Sequence, residues 1–516
     1  MRHVIRAMSL LAASALLLPL PARAQQPSSY ELLQTFSSLL NQIHVNYVDS
    51  VTTQDLVYGA IDGMLKSLDP HSRFVRRADL ERELAWDAGT LSGAGVVVEE
   101  VDGEPTVVSV YRGSGAEQAG IQAGDRLRSV NDTSVAGMDP GRIVQRLLGD
   151  KGARARLGIA RGPRLEPDTF SISVRFAPVE PHAVTDRRML DSITGYVRFQ
   201  EFSVKAADDV EAAFAGLRQA GAQQVILDLR GNPGGFATGA VELGGAFLPK
   251  GTLIFSARGR RSTDSADFRT SRDGKYRDIP LVVLIDGGTA SAAEALAASL
   301  QDHDRALLVG RRSFGKALIQ RLIGIPPNGD GVWLTTGYVV TPSGRVIQRR
   351  YKGLDAGQYR SLRAGDPGDT LAVYHTDDGR VVRGGGGIEP DVVLPNYPRA
   401  PAWWSLAADS SYDVLVADSV ATLLGPDPAA RVAWATDSAA WRRRLTVPFM
   451  HRVEIRLHVT GRLPAETESF IIRRLAARAA EVRWGTDAEN AFIAANDPDI
   501  RVAMGAFDKA RALLGP

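Results

Sequence analysis

Hydrophobic and polar positions follow different periods in different parts of the chain. Between residues 28 and 67 apolar residues recur every three to four positions, which predicts two helices, the second capped by Thr53. From residue 91 to residue 161, short valine-rich runs separated by glycines predict a small β-rich module with one helix, GRIVQRLLG, near its end. After residue 398 the helical period returns and continues to the C-terminus.

From Ile193 onward, buried strands alternate with amphipathic helices. The apolar runs QVILDLRG and PLVVLID are typical of strands buried on both faces. Such strands, each followed by a segment of helical period, predict an α/β layer with a largely parallel sheet. A later segment, TLAVYHTDDGRVVRGG, is expected to form a hairpin that turns at Asp378 and Gly379.

These patterns predict an α/β multidomain protein. We expect a layered core with a largely parallel sheet, an inserted β-rich module, and helical N- and C-terminal regions. The expected segments of the 516 residues are 1–24 (a signal peptide), 25–85 (helical), 86–165 (the β-rich module), 166–398 (the α/β core) and 399–516 (helical).

The first 24 residues have the pattern of a secretory signal peptide. Two arginines precede an apolar run, and the stretch ARA offers small residues for cleavage before Gln25. An uncleaved membrane anchor is the alternative, although the run is short for a span. Since the chain has no cysteine, an exported form would be stable without disulfides. We therefore expect export to a bacterial periplasm.

Overall charge does not favour a nucleic-acid partner. The formal net charge is +2, and no dense basic tract is present. No segment after the first 24 residues is apolar enough to cross a bilayer.

Ser291 lies where a strand is followed by a helix. The run PLVVLID ends at Asp286, two glycines turn the chain, and a helix begins around the serine. Such a junction exposes a side chain at the carboxyl edge of a sheet, where a helix N-terminus directs free N–H groups toward a developing oxyanion. Taken alone, Ser291 is more readily explained as an ordinary N-cap.

No histidine is placed to activate Ser291. His303 follows by twelve residues, about 18 Å along a helix at ~1.5 Å per residue, and Asp302 is similarly remote. We expect Asp302 to form a structural pair or to anchor a loop. Glu294, in the first helical turn, is expected either to support the site or to suit the helix dipole.

Lys316 is the better candidate for a base. It must be neutral to accept a proton, and burial can lower its pKa from the ordinary value of about 10.4. The segment SFGKALIQRLIGI is apolar around this lysine, and Gln320 is placed on the same face to hold the amine. A lysine in a strand is usually a solvated edge charge, so it is the pairing with Ser291 that favours a catalytic interpretation.

A glycine-rich loop, LDLRGNPGG, follows the first buried strand. It lacks the Gly-Lys-Ser/Thr ending of a phosphate-binding P-loop. The loop can line a phosphate, and it can equally offer a bare N–H to a carbonyl oxygen.

Several of these segments, in this order, resemble the carboxy-terminal processing peptidases, also called tail-specific proteases. They are LDPHSRF, ILDLRGNPGG, GGTASAAEALA, QDHDRALLVGRRSFGKALIQ, TPSGR and GGGGIEPDVVLP, and the resemblance covers roughly residues 30–395. It implies that Ser291 is the nucleophile, Lys316 the general base and Gln320 its orienting partner. The resemblance also implies that the amides of Gly235 and Ala292 form the oxyanion hole.

Two positions depart from the family pattern. Thr289 stands where serine is common, and Ala317 stands where glycine is common. Neither change removes a catalytic group, so the resemblance still implies an active enzyme without a metal or an organic cofactor.

The β-rich module resembles a PDZ domain. The segment LSGAGVVV is similar to the carboxylate-binding loop and adjoining strand of such domains, and AGIQAGDRLRSVND to their later strands. A peptide would then add as an extra strand with its terminal carboxylate on the loop amides. The implied peptide-binding residues are Leu91, Ser92, Gly93, Ala94, Gly95 and Val96, with Ile143 and Leu147 lining an apolar groove. A module that only packs is the alternative.

We therefore expect an exported serine endopeptidase with a Ser–Lys dyad, which recognises apolar C-terminal tails of protein or peptide substrates through a PDZ domain. An adaptor protein and a homo-oligomer are left open as partners, and no nucleic acid is expected. One alternative is a catalytically inactive peptide-binding scaffold on the same fold. An acyl-CoA enzyme is a second, against which the absence of a convincing nucleotide-binding signature argues.

Overall fold

A computed structural model describes most of the chain. The described residues are 27–87, 92–101, 104–111, 114–122, 124–138, 140–161, 167–178, 183–354, 358–359, 362, 372–396, 420, 424, 428–457 and 463–515. The expected signal peptide at 1–24 and Leu91 lie outside them. Over these ranges, no helix combines the length and the apolar composition that crossing a membrane requires.

The helices are numbered in chain order over the described residues. They are α1 Ser29–Asn46, α2 Thr53–Lys66, α3 Arg77–Asp87, α4 Gly115–Ala119, α5 Pro140–Arg146, α6 Ala206–Gln219, α7 Ala237–Phe247, α8 Ala292–Asp302, α9 Pro428–Thr436, α10 Ser438–Trp441, α11 Val447–Leu457, α12 Ala465–Trp484, α13 Thr486–Asn496, α14 Pro498–Met504 and α15 Phe507–Ala512. A π-helical turn, Arg442–Thr446, joins α10 to α11.

The strands are numbered in the same way. They are β1 Arg73–Val75, β2 Ser92–Gly93, β3 Val96–Val101, β4 Glu104–Val110, β5 Arg126–Val130, β6 Thr133–Ser134, β7 Arg154–Arg161, β8 Asp168–Arg175, β9 Ala177–Pro178, β10 Val184–Met189, β11 Thr194–Phe199, β12 Gln224–Asp228, β13 Leu253–Gly259, β14 Ala266–Arg269, β15 Leu281–Ile285, β16 Leu307–Gly310, β17 Leu318–Ile325, β18 Asp330–Val340, β19 Val373–His375, β20 Val381–Arg383 and β21 Val392–Val393.

The described residues up to Leu68 form a compact unit of their own. Its two described helices, α1 and α2, contact each other, and neither contains a buried residue. The prediction that Thr53 caps the second helix was wrong by one position. Thr52 has an extended backbone, and its hydroxyl accepts the Asp55 amide, whereas Thr53 is already helical.

The core sheet is largely parallel, as predicted. Its strand order is β10-β11-β12-β15-β16-β21, and only the β10–β11 pair is antiparallel. Alternate residues of each strand point to opposite faces, so both faces must be covered. Helices α6, α7 and α8 cover one face, and residues from α14 and α15 pack on the other.

A second sheet flanks the core. It has the order β1-β18-β13-β14, with β17 also paired to β18, and its pairs are antiparallel. The expected hairpin at Asp378 and Gly379 is confirmed, since β19 pairs with β20 in antiparallel fashion around that turn.

The β-rich module is built on a sheet of order β3-β4-β5-β7-β8, with β6 added to β5. The short strands β2 and β9 pair where the chain enters and leaves the module. Its last long strand, β8, runs to Arg175, past residue 165 where the sequence placed the boundary. The reason is that β8 pairs along its whole length with β7 and completes the module's sheet.

The C-terminal helices form two packing groups. Helices α9 to α13 enclose an apolar cluster that includes Trp434 and Trp441. Helices α14 and α15 instead place Ile500 and Phe507 against Ile226 and Leu284 of the core sheet. The last described helices therefore form a layer of the α/β core.

Candidate active site

Two loops at the carboxyl ends of neighbouring strands β12 and β15 are joined by hydrogen bonds. The Asp286 carboxylate accepts the amides of Gly231 and Gly288, both at 2.9 Å. The Ala290 amide donates to the Asn232 carbonyl at 2.9 Å. Since β12 and β15 pair in parallel, both loops leave the same edge of the sheet, where α/β proteins commonly place their sites.

Ser291 occupies the N-cap position of α8, with an unusual backbone conformation. Its φ is 56° and its ψ is −117°, in a region that favours glycine. A conformation of this kind costs of order 1–3 kcal/mol and persists only when neighbouring contacts impose it. A simple N-cap has an extended backbone, so capping alone does not explain Ser291.

The glycine-rich loop packs directly against Ser291. A Cβ added to Gly234 would lie 2.7 Å from the Ser291 Cβ, and one added to Gly235 would lie 2.3 Å from the Phe202 carbonyl oxygen. Only glycine fits at either position. Among the described residues, neither the Gly235 amide nor the Ala292 amide has a hydrogen-bond acceptor. Both N–H groups are thus available to a ligand oxygen.

Glu294 is a fully buried carboxylate that accepts four hydrogen bonds. Its Oε2 accepts the amides of Ser291 at 2.9 Å and Lys316 at 2.8 Å. Its Oε1 accepts the Gly315 amide at 2.6 Å and the Ser313 hydroxyl at 2.5 Å. Burial raises the pKa of Glu294 to about 7, against the opposing effect of these donors.

Lys316 lies just before β17, with most of its side chain removed from solvent. Burial lowers the pKa of its amine below the usual value, while the charges of Glu294 and Asp69 oppose that effect and Arg73 adds to it. The direction of this shift favours the neutral amine that a general base requires.

One cavity of about 840 Å³ brings these groups together. Its wall includes Ser291, Ala292, Gly235, Lys316 and Gln320. Apolar side chains, among them Phe255, Leu318 and Val339, line another part of it. A cavity of this size with a few convergent polar groups is suited to a peptide segment.

Gln320 contributes to the cavity and forms its hydrogen bonds with residues other than Lys316. Its Nε2 donates to the Leu318 carbonyl at 3.3 Å and to the Thr335 hydroxyl at 3.1 Å. No hydrogen bond joins these two described residues, so an orienting role for Gln320 stays a prediction.

Asp302 and His303 lie at the far end of α8. The Asp302 carboxylate pairs with the fully buried Arg345 at 2.7 Å and accepts the Ser343 amide at 3.0 Å. His303 contacts the Asp377 carboxylate at 2.7 Å and the Leu253 carbonyl at 2.8 Å. Neither residue lines the cavity, and Asp302 holds loops in place.

The residues assigned to a peptide groove are buried inside the β-rich module. Ile143 and Leu147 are 0% and 2% exposed and belong to the module's apolar cluster. Ser92, Gly93, Ala94, Gly95 and Val96 are also buried. The Ala94 amide donates to the Leu147 carbonyl at 2.8 Å. Because these described residues are buried, a peptide would have to displace α5 to reach them, and peptide binding there stays a prediction.

Two further residues act on this site without having been assigned to it from the sequence. Ser313 donates its hydroxyl to Glu294 and accepts the Ile388 amide at 2.6 Å. Arg73 lines the cavity and lowers the pKa of Lys316. For Ser313, the signal available in the sequence was a polar residue beside a segment that was expected to be buried. Arg73 lies in the segment LDPHSRF that carries the resemblance, but its distance in sequence from Lys316 hid their proximity.

Known protein families match three parts of the chain. Peptidase family S41 matches residues 193–355, a PDZ domain matches residues 106–161, and the activating protease CtpB N-terminal domain matches residues 19–78. The first of these segments contains Ser291, Lys316 and both loops of the cavity.

Individual proteins are similar over most of this region. The carboxy-terminal-processing protease of Bartonella bacilliformis is 32% identical over 327 residues, which are 63% of this chain and 74% of that protein. The carboxy-terminal processing protease CtpA of Bacillus subtilis is 34% identical over 60% of this chain and 65% of its own length. The structure of a photosystem II D1 C-terminal processing protease superposes with a TM-score of 0.38 and 24% identity, covering 73% of this chain and 95% of that one.

These matches confirm the resemblance to carboxy-terminal processing peptidases and the presence of a PDZ domain. The chain belongs to peptidase family S41 and is a serine peptidase.

Proposed function

We propose that the protein is an exported endopeptidase in which Ser291 is the nucleophile and Lys316 the general base. The observation that carries this proposal is the shared carboxylate of Glu294, which holds the backbones of both residues at the wall of one cavity. Groups held in this way need little further ordering when a substrate binds.

The proposed reaction begins with a neutral Lys316. Its amine takes the proton of the Ser291 hydroxyl while the oxygen attacks a peptide carbonyl. The amides of Gly235 and Ala292 stabilise the resulting oxyanion, and loss of one such donor typically costs about 10²–10³-fold in rate. The protonated lysine then donates to the leaving amine. Water, deprotonated by the same lysine, releases the acyl group.

The substrates we propose are proteins with apolar C-terminal tails. The similar proteins are named for carboxy-terminal processing, and the PDZ domain is of a kind that adds a peptide to a free sheet edge. Strand β3 lies at an edge of the module's sheet with α5 beside it. Export to the periplasm is part of the proposal and rests on the N-terminal sequence alone.

Cleavage of an unfolded protein substrate by single-residue variants tests the proposed chemistry. Ser291→Ala and Lys316→Ala should abolish cleavage with circular dichroism unchanged. Lys316→Arg should also fail, because a guanidinium does not become a neutral base. His303→Ala is the matched control and should keep most activity, since its ring contacts Asp377 and Leu253 outside the cavity.

Two results would contradict the mechanism. Retained turnover in pure Ser291→Ala protein would exclude Ser291 as the nucleophile, and a folded but inactive His303→Ala would mean that the base has been misplaced. A fluorophosphonate that labels wild-type protein but not Ser291→Ala would favour the enzyme over an inactive peptide-binding scaffold.

A further inference from the structure

One carboxylate from the C-terminal helix α14 joins the two loops that carry the proposed site. Asp499 is buried. Its Oδ2 accepts hydrogen bonds from Nη1 of Arg230 at 3.0 Å and from Nη1 of Arg311 at 2.6 Å. Nη2 of Arg311 also donates to Oδ1 of Asp499 at 3.2 Å. The two arginines belong to loops that are far apart in sequence, and Asp499 is an acceptor common to both.

Arg230 stands at the start of the glycine-rich loop. Its guanidinium also pairs with Asp228 at 2.6 Å and with Asp497 at 2.8 Å. The next residue, Gly231, is tied to Asp286, and the loop then packs on Ser291 through Gly234. The position of Arg230 therefore sets where the Gly235 amide points.

Arg311 stands at the start of the segment that leads to Lys316. It follows the last residue of β16, and its Nε donates to the Pro395 carbonyl at 2.6 Å. Two residues later Ser313 donates to Glu294, which in turn accepts the Lys316 amide. A shift of Arg311 would consequently be transmitted to the base.

These charges are held in the interior rather than on a solvated surface. Burial disfavours the charged guanidinium of Arg230, yet Asp228 and Asp497 outweigh burial and hold its pKa above the ordinary value. Burial likewise opposes ionisation of Asp228, but Arg230 and Arg198 lower its pKa to about 2. Removing one partner from such a buried set leaves the remaining charges poorly compensated, so the group acts as a unit.

Helix α14 is itself fixed to the core. Ile500 and Ala503 pack against the sheet residues Ile226 and Leu284, and the Asp497 side chain caps the helix. Asp499 is thus presented to both arginines by a rigid element.

We propose that Asp499 is a positioning residue of the peptidase, which aligns the oxyanion loop through Arg230 and the lysine segment through Arg311. This inference rests on the proposed function of Ser291, Lys316 and Gly235. The C-terminal helix α14 would then contribute to catalysis, although none of its residues lines the cavity.

The test compares full-length Asp499→Asn with Asp508→Asn. Asp508 is an exposed aspartate on α15 that pairs with Arg511, so its variant makes the same chemical change away from both loops. Asp499→Asn should lower kcat at least tenfold while KM changes less than threefold. A peptide aldehyde, whose adduct with Ser291 places an oxygen at the proposed oxyanion position, should bind more weakly by a similar factor. Asp508→Asn should match wild type in all three quantities.

A structural role alone predicts a different pattern. It would lower the melting temperature of Asp499→Asn but leave kcat and aldehyde affinity of the folded fraction unchanged, and that result overturns the proposal. If Asp499→Asn does not fold, Arg311→Lys is the second variant to measure. It keeps a positive charge beside Asp499 but offers fewer hydrogen-bond donors. Its kcat should fall severalfold with KM retained, and a wild-type kcat there would also overturn the proposal.

The same assay includes Ser291→Ala. An inactive Ser291→Ala with a fully active Asp499→Asn contradicts this inference and leaves the proposed function standing. An active Ser291→Ala contradicts the proposed function, and the positioning role of Asp499 falls with it.

Discussion

Ser291 and Lys316 donate their backbone amides to the same oxygen, Oε2 of Glu294, at 2.9 and 2.8 Å. The two residues come from different loops, and Glu294 lies in the first turn of α8 between them. Because this carboxylate is fully buried, its geometry is set by protein donors. The relative position of the proposed nucleophile and base therefore depends on both oxygens of Glu294 being acceptors.

Glu294→Gln should inactivate the enzyme although the side chain keeps its shape. Glutamine has one acceptor oxygen, so its NH₂ group would face two N–H or O–H donors. Each buried donor left unsatisfied costs about 1–3 kcal/mol. We expect kcat to fall at least tenfold, measured with a fluorogenic peptide after folding is checked by circular dichroism.

Ser313→Ala is the matched control for Glu294→Gln. It removes one donor from Oε1 and leaves the bonds of Oε2 to Ser291 and Lys316 in place. Its loss of kcat should be smaller. Equal losses in both variants would show that the shared oxygen has no special importance.

The rate at which the Ser291 hydroxyl attacks an electrophile should rise with pH. Lys316 reacts when neutral, and its lowered pKa brings the neutral form to a lower pH than for a free lysine. Protonation of Glu294, whose pKa is about 7, removes an acceptor and adds to the loss on the acid side. Fluorophosphonate labelling between about pH 6 and about pH 10 should give this profile.

Arg73→Gln tests the contribution of Lys316 to that profile. The charge of Arg73 helps to lower the pKa of Lys316. Without the charge of Arg73, the pKa of Lys316 should rise. The part of the pH profile that follows deprotonation of Lys316 should therefore move to higher pH. A profile that is flat in wild type, or unmoved in Arg73→Gln, contradicts a neutral Lys316 as the base.

Gly235→Ala should abolish activity for a steric reason. Gly235 has a φ of 135°, and an added Cβ would approach the Phe202 carbonyl oxygen to 2.3 Å. The loop must shift to relieve this contact, and the Gly235 amide then leaves its position. Gly231→Ala is the control, since Gly231 also has positive φ but has open space around its Cβ. Kinetics should show a much larger loss of kcat for Gly235→Ala, and comparable losses would mean that strain alone is responsible.

Local patterns were enough to predict the parallel sheet and the junction at Ser291. An apolar strand, a glycine turn and a helical period are all visible within the span that leads from Leu281 to Asp302. The sequence led us to expect that Glu294 supports the site or suits the helix dipole, but the hydrogen-bond partners of Glu294 and Asp499 were not visible in this way. Their donors, Lys316 and Arg311 among them, come from segments that only the folded topology brings near.

The helix α5 shows a different limit of prediction from the sequence. Ile143 lies in α5 and Leu147 directly follows it, and both belong to the buried apolar cluster of the module, but periodicity cannot distinguish a face that meets a ligand from one that meets the module's own sheet. In the structure that face packs on β3 and closes the module's core. Recognition of a tail at this place therefore carries the added cost of moving α5.

That cost leads to a prediction about tail binding. A peptide with an apolar C-terminus should bind the full-length protein, and its amidated form should bind far more weakly, because the proposed loop offers amides to a carboxylate. Binding should protect amides of β3 from hydrogen exchange and expose those of α5, since the peptide would replace α5 beside that edge strand. Ligand can favour the opened arrangement only by binding it more tightly than the closed one.

Variants of α5 test whether its buried face is the groove. Ile143→Val trims one methylene at a cost of about 0.5–1.5 kcal/mol, which the module should survive, and it should change affinity for apolar tails of different size. Arg142→Gln, at an exposed neighbouring position, is the control and should leave the preference unchanged. If carboxylate and amide peptides bind and are cleaved equally in wild type and in Ile143→Val, tails are recognised elsewhere and α5 only completes the module's core.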